Sequence, residues 1–385
     1  MTVPGKKYRV RFRDWKNRQR LKREYKYYFD QFQRRGLTLP DDTGLKSELS
    51  AAFPHLQPKP KGRLNIIAVY HHYNWENFSL KPALEKFGVV RHWDWFDKFN
   101  HLEKTWPKAG KSQMNKALTK RVEAWMADNP ADVIFMYVSG ILVEPQTIAD
   151  LRAHGIPLLN LALNDKEHFV GKVRGGRAFG SRDICRHFDL CWTSTQDALI
   201  KYRVEGARPV YLPEGANPQI HKPHALEKTI DVSFVGQCYG NRAQVINELS
   251  RHGIHVQAYG HGWPAGPLAV EEMVKLYSRS RINLGFGGVA GHQDTFCLKG
   301  RDFEIPMSGG LYLTEDHPEL TYAFQPGKEI LTYRGIDDLV KKIRYYLDHP
   351  SEADSIRQKG HERALRDHAW ESRFEKVFRL LGIMQ

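Results

Sequence analysis

No stretch of the sequence holds the roughly 18 consecutive apolar residues that a membrane-spanning helix requires. The N-terminus also lacks the apolar segment of a signal peptide, since the first strongly apolar stretch begins only near Leu64. These absences predict a cytoplasmic protein without a transmembrane helix.

Cysteine is scarce and poorly spaced for metal binding. The four cysteines form neither a CxxC pair nor a zinc-ligand pattern. They are Cys185, Cys191, Cys238 and Cys297. We therefore expect reduced, mostly buried thiols, as in other cytosolic proteins.

Two glycine-rich phosphate-binding motifs are missing as well. No GxxxxGK[ST] occurs, and the glycine loop VGQCYGNR, which follows a predicted strand at 231–236, is not a GxGxxG. Their absence counts against a P-loop nucleotidase and against a dinucleotide-dependent dehydrogenase.

Positive charge, by contrast, is abundant and concentrated. The net charge is +14, and residues 6–35 hold thirteen Lys or Arg against three Asp or Glu. The rest of the chain carries the remaining +4. The sequence therefore predicts a nearly neutral body with a basic N-terminal arm.

Helical periodicity is evident in this arm. The main apolar stripe, spaced i, i+4, i+7 and i+11, consists of Leu21, Tyr25, Tyr28 and Phe32. A second short stripe consists of Tyr8, Phe12 and Trp15. Gly36 and Pro40 end the predicted helix, and a Pro-rich linker follows at 54–62.

Three functions suit such an arm. It could be a helix docked onto the body, with its rings inward and its charges solvated. Rings that insert and charges that meet headgroups would suit an anionic membrane, which would place the protein at the inner face of the membrane. Neutralisation of phosphates would suit DNA or another nucleic acid equally well. In the last two cases, residues 6–35 bind a polyanionic partner.

Alternating strands and helices fill the rest of the 385 residues, a length that favours about two to three domains. The predicted strands are 64–70, 89–96, 132–140, 156–165, 188–194, 209–213, 231–236, 254–260, 281–287, 310–315 and 329–333. The predicted helices are 79–87, 112–128, 145–154, 269–278, 301–308, an amphipathic one from Leu339 that stops at Pro350, and a last one from Trp370. This alternation indicates an α/β protein of doubly wound parallel sheets.

The polar, Gly- and Pro-containing segment 213–229 interrupts the alternation and marks a domain boundary. We expect three parts. These are an arm and linker at 1–60, a Rossmann-like domain at 61–218 that includes the terminal helix 370–385, and a second Rossmann-like domain at 219–369.

Two loops of the second domain have phosphate-binding chemistry. In the first, Gly236 and Gly240 allow close approach of a ligand, and a helix from Asn241 would present free N–H groups, with Arg242 adding a charge suited to a diphosphate. A simple glycine turn is the alternative. In the second, DTFCLKGRDFEIPMSGG (294–310), Lys299 and Arg301 stand at a helix entrance.

Glu304 follows Arg301 by one helical turn in that second loop. A carboxylate there could accept hydrogen bonds from ribose hydroxyls. The alternative is an ordinary Arg–Glu pair on a solvated helix face.

The ordered motifs DVSFVGQCYGNRAQVINEL, VQAYGHGW, INLGF, GRDFEIPMSGGLYLTE and HAWESRF closely resemble the C-terminal domain of CgeB-like glycosyltransferases, a branch near the group 1 (family 4) enzymes. LNDKEHF, FDLCWTS and LPEGANP resemble their N-terminal half, so that the resemblance covers about 130–375. It implies a GT-B fold, in which two Rossmann-like lobes face each other across a cleft.

The resemblance also implies roles for individual residues. It implies a donor nucleotide-diphosphate sugar bound by the C-terminal domain without a bound metal. Residues that it places around the donor are Gly236, Tyr239, Asn241, Arg242, Tyr259, His261, Lys299, Arg301, Glu304, Gly309 and Gly310. Arg242, Lys299 and Arg301 would neutralise the leaving diphosphate. Tyr259, His261 and Trp263 could equally be a packed aromatic corner.

One departure from the family pattern concerns the sugar. Glu304 matches the second acid of the family's E-x7-E pattern, but Phe296 stands at the position of the first. Asp294 is the conceivable substitute. The anomeric outcome of transfer therefore stays open.

Candidate general bases come from the first domain, at the carboxyl ends of its predicted strands. His71 and His72 follow strand 64–70, and Asp165 ends strand 156–165; we single out His72 and Asp165, and give His168 less weight. A structural histidine at the strand end is the alternative for either of the first two.

The predicted function is that of a glycosyltransferase whose acceptor is polyanionic or associated with the membrane or envelope. A transferase that modifies a hydroxylated base in DNA is one alternative. A non-catalytic protein that binds a nucleotide sugar or nucleic acid on the same scaffold is another.

Overall fold

The computed structural model describes residues 4–289 and 295–385, with the backbone alone for residues 4–11. Contacts within the chain define two compact units. The N-terminal lobe comprises Gln19–Pro213 and Arg373–Gln385. The C-terminal lobe comprises Glu214–Ser372 together with the first helix as far as Arg18. The boundary between Pro213 and Glu214 lies a few residues before the one that the sequence predicts.

Parallel strands form the sheet of the N-terminal lobe. They are β1 (Leu64–Val69), β2 (Gly88–Trp93), β3 (Val133–Met136), β4 (Leu158–Ala162), β7 (Leu190–Thr193) and β8 (Pro209–Tyr211), and a small antiparallel hairpin is formed by β5 (Val173–Arg174) and β6 (Arg177–Ala178). The sheet order is β2-β1-β3-β4-β7-β8. Every residue of β3 and β4 is buried, because helices cover both faces of a parallel sheet.

Helices of this lobe are α1 (Pro4–Arg34, from Gln19), α2 (Asp42–Ala52), α3 (Lys81–Glu85), α4 (Lys111–Asp128), α5 (Pro145–Arg152), α6 (Asp165–His168) and α7 (Gln196–Val204). Short π-helical turns at Glu76–Leu80 and Trp106–Gly110 lead into α3 and α4. The sequence analysis misses α2 and the β5–β6 hairpin.

The C-terminal lobe repeats the arrangement. Its strands are β9 (Ile230–Val235), β10 (Val256–Tyr259), β11 (Ser280–Leu284), β12 (Tyr312–Glu315) and β13 (Leu331–Tyr333), and its helices are α8 (Arg242–Arg251), α9 (Val270–Arg279), α10 (Gly300–Met307), α11 (Gly335–Asp348) and α12 (Pro350–Asp367). The sheet order is β10-β9-β11-β12-β13, again parallel. The predicted fold class, two doubly wound α/β units, is therefore confirmed.

Pro350 has a different role from the one the sequence suggests. The amphipathic helix α11 ends at Asp348, close to the predicted stop, but Pro350 then begins α12 rather than a loop. Proline suits the first turn of a helix because the N–H it lacks would have no partner there.

The last helix, α13 (Trp370–Leu380), belongs to the N-terminal lobe from Arg373 onward. The Phe374 ring packs 5.3 Å from both Phe135 and Trp192, and Phe378 lies 5.1 Å from Phe87. Lys59, in the predicted Pro-rich linker, forms a parallel bridge with Met384. The tail therefore fills the aromatic core of the lobe.

The basic arm is helical, as predicted, and its second half packs on the N-terminal lobe. Tyr28 is 2% exposed and its hydroxyl donates to Glu205 at 2.7 Å. Lys201 forms a 2.7 Å ion pair with Glu24. Tyr25, which the sequence places on the same stripe as Tyr28, is 40% exposed instead.

Of the arm's second predicted stripe, Phe12 and Trp15 are exposed and stack on each other, whereas the side chain of Tyr8 lies outside the described part of the molecule. Among the described residues, no helix is apolar enough over a sufficient length to cross a membrane.

Candidate functional site

The order of the strands locates a candidate site in each lobe. In a doubly wound sheet, ligands bind at the carboxyl ends of the strands, where the chain order reverses. In the C-terminal lobe this point lies between β9 and β11, and in the N-terminal lobe it lies between β1 and β3. The loops that follow these strands are therefore the candidate binding sites.

Gly236, directly after β9, is shaped for close packing. Its φ is +155°, and a Cβ there would lie 2.8 Å from Nη2 of Arg301. Its N–H donates to the carbonyl of Tyr259 at 2.8 Å, and its own carbonyl accepts from Trp263 Nε1 at 2.8 Å. Gly236 therefore makes room for Arg301, while its own backbone groups are used within the lobe.

Arg242, the first residue of α8, is buried beneath this loop with 4% of its surface exposed. Its Nη1 donates to the carbonyl of Gln237 at 2.9 Å, and its guanidinium lies 4.1 Å from the centre of the Tyr239 ring. Burial lowers the pKa of Arg242, and the charge of Arg301 lowers it further.

Two guanidinium groups converge at this point. Arg242 and Arg301 lie 5.4 Å and 5.5 Å from the centre of the same ring, that of Phe234. Burial acts to lower the pKa of Arg301, but nearby Tyr277 and Tyr312, with acidic neighbours, outweigh it and raise the pKa. Both arginines are therefore cations held beside each other, an arrangement that a bound anion would stabilise.

The mouth of α10 is arranged differently from the prediction. The N–H of Gly300 donates to Glu214 at 3.0 Å, and the N–H of Lys299 donates to Asp302 at 2.7 Å. Lys299 Nζ lies 3.9 Å from Glu214 as well. Carboxylates of the same lobe therefore contact the N–H groups and the ammonium group that the sequence analysis assigns to a pyrophosphate.

The carboxylates of Glu304 and Glu214 both lie beside Gly300. A Cβ at Gly300 would be 3.1 Å from Oε1 of Glu304 and 3.3 Å from Oε2 of Glu214. Burial raises the pKa of each carboxyl group to about 7, and in Glu214 the charge of Glu304 contributes to the rise. Near neutral pH, the pair therefore shares protons and can both donate and accept hydrogen bonds.

His221 lies 3.8 Å from Glu304 and is fully buried. Burial lowers the pKa of its imidazole to about 4, so the ring is neutral near pH 7. Sequence reasoning assigned no role to Glu214 or to His221, although Glu214 stands in the LPEGANP motif that carried part of the resemblance.

The AYGHGW segment supports the loop after β9 through its backbone rather than through its side chains. The carbonyls of Tyr259 and His261 accept from the N–H groups of Gly236 and Cys238, both at 2.8 Å. The imidazole of His261 is exposed, and the Tyr259 hydroxyl donates to Gln257. The role of Tyr259 and His261 beside a donor therefore stays a prediction.

Gly309 and Gly310 are also explained by packing. A Cβ at Gly309 would lie 2.9 Å from the Pro223 ring, and one at Gly310 would lie 2.8 Å from the Asn283 amide. Their contacts are with the lobe's own residues.

Asn241 and Glu315 meet at the carboxyl end of β12. Glu315 accepts from the N–H of Gly287 at 3.0 Å, and burial raises its pKa, although hydrogen bonds from Gly287, Gly288 and Asn241 act against the rise. Glu315 is a partly buried acid at this edge that the sequence analysis does not single out.

The position of the first acid of E-x7-E is occupied by an aromatic pair. The Phe296 ring stacks on His317, with ring centres 5.1 Å apart and an angle of 4° between the planes. Asp294, the conceivable substitute, lies outside the described residues.

In the N-terminal lobe, a cavity of about 590 Å³ opens at the carboxyl ends of β1, β3 and β4. Its lining combines aromatic rings with polar groups, and includes Tyr73, Trp75, Tyr137, Phe179, Asn164 and Lys172. Aromatic faces with a few polar groups are typical of small-molecule pockets.

Asp165 lines this cavity but is 2% exposed. Tyr202 donates to it at 2.6 Å. Burial raises the pKa of Asp165 to about 6, although hydrogen bonds from Tyr202 and Thr193 act to lower it. His168 lines the same cavity.

The two histidines after β1 differ in their partners. His71 Nδ1 lies 2.9 Å from a carboxylate oxygen of Asp94, whereas His72 Nδ1 lies 3.4 Å from Glu76 and accepts weakly from the N–H of Asn77 at 3.3 Å. Burial acts to raise the pKa of Asp94, but hydrogen bonds from the His72 backbone, His71 and Phe96 outweigh it and lower the pKa.

An ionised carboxylate can only accept, so Nδ1 of His71 carries the proton and Nε2 is left as a base. His71 therefore has the carboxylate partner that is typical of a general base. The role of His72, which the sequence analysis singles out, stays a prediction. Among the described residues, no group of three or more His, Cys, Asp or Glu is arranged to hold a metal ion.

With this geometry established, comparison with solved structures defines the fold as GT-B, two Rossmann-like domains. Sucrose-phosphate synthase from Thermosynechococcus elongatus matches with a TM-score of 0.60 at 13% identity, over 83% of this chain and 99% of the other. HepE of Anabaena in complex with UDP and glucose matches with 0.55 at 8%, over 82% and 100%.

An α-glucosyltransferase in complex with UDP and a 13-mer DNA gives a TM-score of 0.56 at 14% identity, over 83% of this chain and 100% of the other. The model of the family described as glycosyl transferase-like matches residues 242–379, which include α8, α10 and α13. No curated protein gives a significant match to the sequence.

Proposed function

We propose that this chain is a glycosyltransferase of the CgeB-like branch, which takes a sugar from a nucleotide-diphosphate sugar bound by its C-terminal lobe. One observation carries the proposal: the guanidiniums of buried Arg242 and partly buried Arg301 converge on the ring of Phe234, at the switch point of a parallel sheet. The family match over 242–379 and the GT-B fold agree with it.

Charge builds on the departing diphosphate as the bond to the sugar breaks. Cations held in place beforehand stabilise that charge without having to reorganise, and each such group contributes roughly 3–4 kcal/mol in comparable sites. Arg242 and Arg301 are the groups that we assign to this task. Lys299 is not assigned to this task, because its ammonium lies beside the Glu214 carboxylate.

Glu304 and Glu214 are the groups that we assign to the ribose. Because burial raises both pKa values to about 7, the pair offers at least one acceptor and one donor to the vicinal hydroxyls near neutral pH. Neutral His221, 3.8 Å from Glu304, is the third polar group of this cluster.

The acceptor is bound by the N-terminal lobe in this proposal. Its 590 Å³ cavity lies in the size range of ligand pockets and presents the ring faces of Tyr73, Trp75 and Tyr137. His71 does not line the cavity itself but lies behind its wall, with its ring centre 4.5 Å from that of Tyr73. In this proposal His71, held by Asp94 at 2.9 Å, takes the proton of the acceptor hydroxyl. The proton moves from that oxygen to Nε2 as the oxygen bonds to the anomeric carbon and the diphosphate leaves.

Thermal stabilisation by nucleotides tests the donor assignment. UDP is the first ligand to try, because the HepE and α-glucosyltransferase structures contain it. A ligand at 100 times its Kd should add about 2.7 kcal/mol to the free energy of unfolding. Arg242→Ala should abolish most of this gain. Arg251→Ala, at the exposed end of the same helix, should leave it unchanged.

No stabilisation by any nucleotide or nucleotide sugar, or equal stabilisation of Arg242→Ala and Arg251→Ala, would contradict the proposal. The expectation that transfer needs no bound divalent metal also stays a prediction, which activity in the presence of EDTA checks.

A non-catalytic protein that binds a nucleotide sugar is the second candidate, and Phe296 is the observation that favours it. Its ring stacks on His317 where the family places an acid towards the sugar. Release of the free sugar or its transfer from the bound donor would exclude this candidate.

The exposed face of α1 suits an anionic membrane surface. Phe12, Trp15, Tyr25 and Phe29 are each at least 40% exposed, and their spacing places them on one side of the helix. Exposed rings of this kind gain more from a lipid interface than from a DNA backbone, so we propose that the arm brings the enzyme to an anionic membrane.

Sedimentation with phosphatidylglycerol vesicles tests this role of the arm. Trp15→Ser with Phe29→Ser should release the protein, whereas Leu365→Ser, which removes a 45% exposed side chain elsewhere, should not. Retention of the double variant on vesicles, or binding of duplex DNA in preference to vesicles, would contradict it.

A further inference from the structure

A second cavity of about 730 Å³ lies in the N-terminal lobe and has a strongly basic lining. Its cations are Lys104, Lys108, Lys111, Lys172, Arg174 and Arg177. Against these six, the lining contains two carboxylates, Glu103 and Glu144. The excess of positive charge is therefore local to this cavity and separate from the basic arm.

These cations differ from others of the same lobe. Lys59, Lys166 and Lys201 each form an ion pair of 3.0 Å or shorter with an acid. Within residues 4–289 and 295–385, none of the six cavity cations forms an ion pair with a carboxylate. Lys111 instead donates to the carbonyl of Gly140 at 2.6 Å.

The β5–β6 hairpin holds two of these charges against each other. Arg174 and Arg177 are directly paired across the hairpin, and the turn between them consists of Gly175 and Gly176 with φ of +55° and +77°. Like charges directly opposite each other destabilise an antiparallel pair. Such a tight turn keeps both guanidiniums at the cavity in spite of their repulsion.

On the other side of the cavity, the pKa of Lys111 reflects the same concentration of positive charge. Burial lowers its pKa, and the charge of Arg177 lowers it further, against the effect of Glu144 and Asp183. The side chain of Arg174 is also fixed, because its guanidinium lies 5.7 Å from the centre of the Phe179 ring. An anion between helix α4 and the hairpin would offset these repulsions.

This cavity adjoins the aromatic one. Ile141, Lys172 and Phe179 line both. A ligand in the aromatic cavity therefore extends naturally into the basic one, with its sugar ring against Tyr73 and Trp75 and its anionic group between Lys111 and the hairpin.

We infer that the 730 Å³ cavity is a subsite for a phosphate ester carried by the acceptor sugar. The inference rests on the proposed function, because it names the acceptor as a phosphorylated glycan. A bounded volume of this size admits one phosphorylated sugar unit, whereas a nucleic acid duplex would need basic residues spread along a much longer surface.

Binding of glucose 1-phosphate, compared with glucose, tests the inference. Calorimetry uses the full chain in saturating UDP, so that the donor site is blocked. Glucose 1-phosphate should bind at least tenfold more tightly than glucose, and Arg174→Glu with Arg177→Glu should remove that preference. Both arginines are exposed on a hairpin, so the double variant should fold.

The matched control is Lys116→Glu with Lys120→Glu, which reverses two exposed charges on α4 outside both cavities. It should bind glucose 1-phosphate within twofold of the wild type. A second arm offers polyprenyl phosphoglucose in phosphatidylcholine vesicles. Hairpin-dependent binding of either form supports the subsite, and their relative affinity identifies a soluble or a lipid-linked source.

Equal affinity for glucose and glucose 1-phosphate would overturn the inference. So would an unchanged preference in the hairpin variant, or hairpin-dependent binding of a DNA duplex without binding of the sugar phosphate. Failure of UDP to bind the wild type would instead count against the proposed donor site, so the two failures are distinguishable.

Discussion

The two lobes share a topology but differ in what they place at its switch point. In the C-terminal lobe, buried and partly buried ionisable groups crowd the ends of β9 and β11, with Arg242 and Arg301 on one ring and Glu304 and Glu214 beside Gly300. In the N-terminal lobe, the corresponding edge is an open cavity with aromatic walls.

Under the proposed function, this difference lets one sheet order serve two kinds of ligand. A diphosphate always presents the same dense charge, which fixed, buried cations can meet. An acceptor presents rings and hydroxyls, for which an open cavity and a single oriented base suffice. Four experiments test this difference between the two lobes.

The largest effect is expected at the base in the N-terminal lobe. His71→Ala should lower the rate of transfer by about 10²–10⁴-fold, the usual contribution of general base catalysis. Thermal stabilisation by UDP should not change, because we propose that the donor is bound by the other lobe. Steady-state transfer assays together with UDP melting curves would measure both.

His72→Ala is the matched control for that experiment, since His72 is the neighbour whose Nδ1 contacts Glu76 at 3.4 Å. It should keep its rate within about threefold of the wild type, well short of the loss expected for a general base. A greater loss in His72→Ala than in His71→Ala would transfer the role back to His72.

Removal of one cation from the C-terminal lobe should have the next largest effect. Arg301→Ala should lower kcat by about 10²–10³-fold, as the loss of one group that stabilises developing charge usually does. Arg279→Ala, on the neighbouring helix α9, should leave kcat within a few-fold of wild type. If kcat stays unchanged in Arg301→Ala while KM rises, the arginine binds the ground state alone, and the comparison between the lobes weakens.

A smaller effect should follow from crowding Arg301 without removing it. Gly236→Ala would place a Cβ 2.8 Å from Arg301 Nη2, and should weaken UDP binding by about tenfold, or 1.4 kcal/mol. Gly253→Ala is the control, since its φ of +78° imposes comparable backbone strain but a Cβ there meets nothing within 4 Å. Equal loss of UDP affinity in the two variants would show that strain, and not the displacement of Arg301, is responsible.

The smallest effect concerns pH. Burial raises the pKa of Glu214 to about 7 from its ordinary value of 4.5, so the folded state holds more protons than the unfolded state between these values. Stability that depends on the neutral form is complete below about pH 4.5 and is lost as the pH rises through about 7. Glu214→Gln removes this group's titration and should therefore reduce the fall in Tm between pH 6 and pH 8 by about 2–4 °C.

Asp165→Asn makes the corresponding test in the N-terminal lobe, where burial raises the pKa of the acid to about 6. The stability that depends on neutral Asp165 should already be largely lost at pH 7. If the difference in Tm between pH 6 and pH 8 is the same for Glu214→Gln and the wild type, Glu214 titrates normally.

The sequence allowed the parallel sheets and the switch-point loops to be predicted, because their signals are local. β1 is apolar except for Asn65, β9 alternates apolar and polar residues from Ile230 to Phe234, and the loop after β9 begins with Gly236. The pairing of His71 with Asp94 could not be predicted in this way. It depends on the register that places Val69 beside Trp93, and no local pattern contains that register.

The same reason explains why the contacts of α10 with distant residues could not be predicted. A sequence that reads Lys299, Gly300 and Arg301 at a helix entrance indicates an anion site, yet the acid that occupies it, Glu214, is supplied by a segment far away in the chain. The helix α12 was missed for another reason. Pro350 was interpreted as a stop, although proline is also favoured at the first helical position.

The return of α13 to the N-terminal lobe has a consequence for biosynthesis. The ring of Phe374 fills the space beside Phe135 and Trp192, so this lobe exposes an apolar gap until the ribosome has also made all of Glu214–Ser372. The lobe whose sheet is translated first is thus completed last. The other lobe can fold earlier, because its core contains no part of α13 beyond Ser372. Until α13 is made, the nascent chain must keep the apolar gap from aggregating.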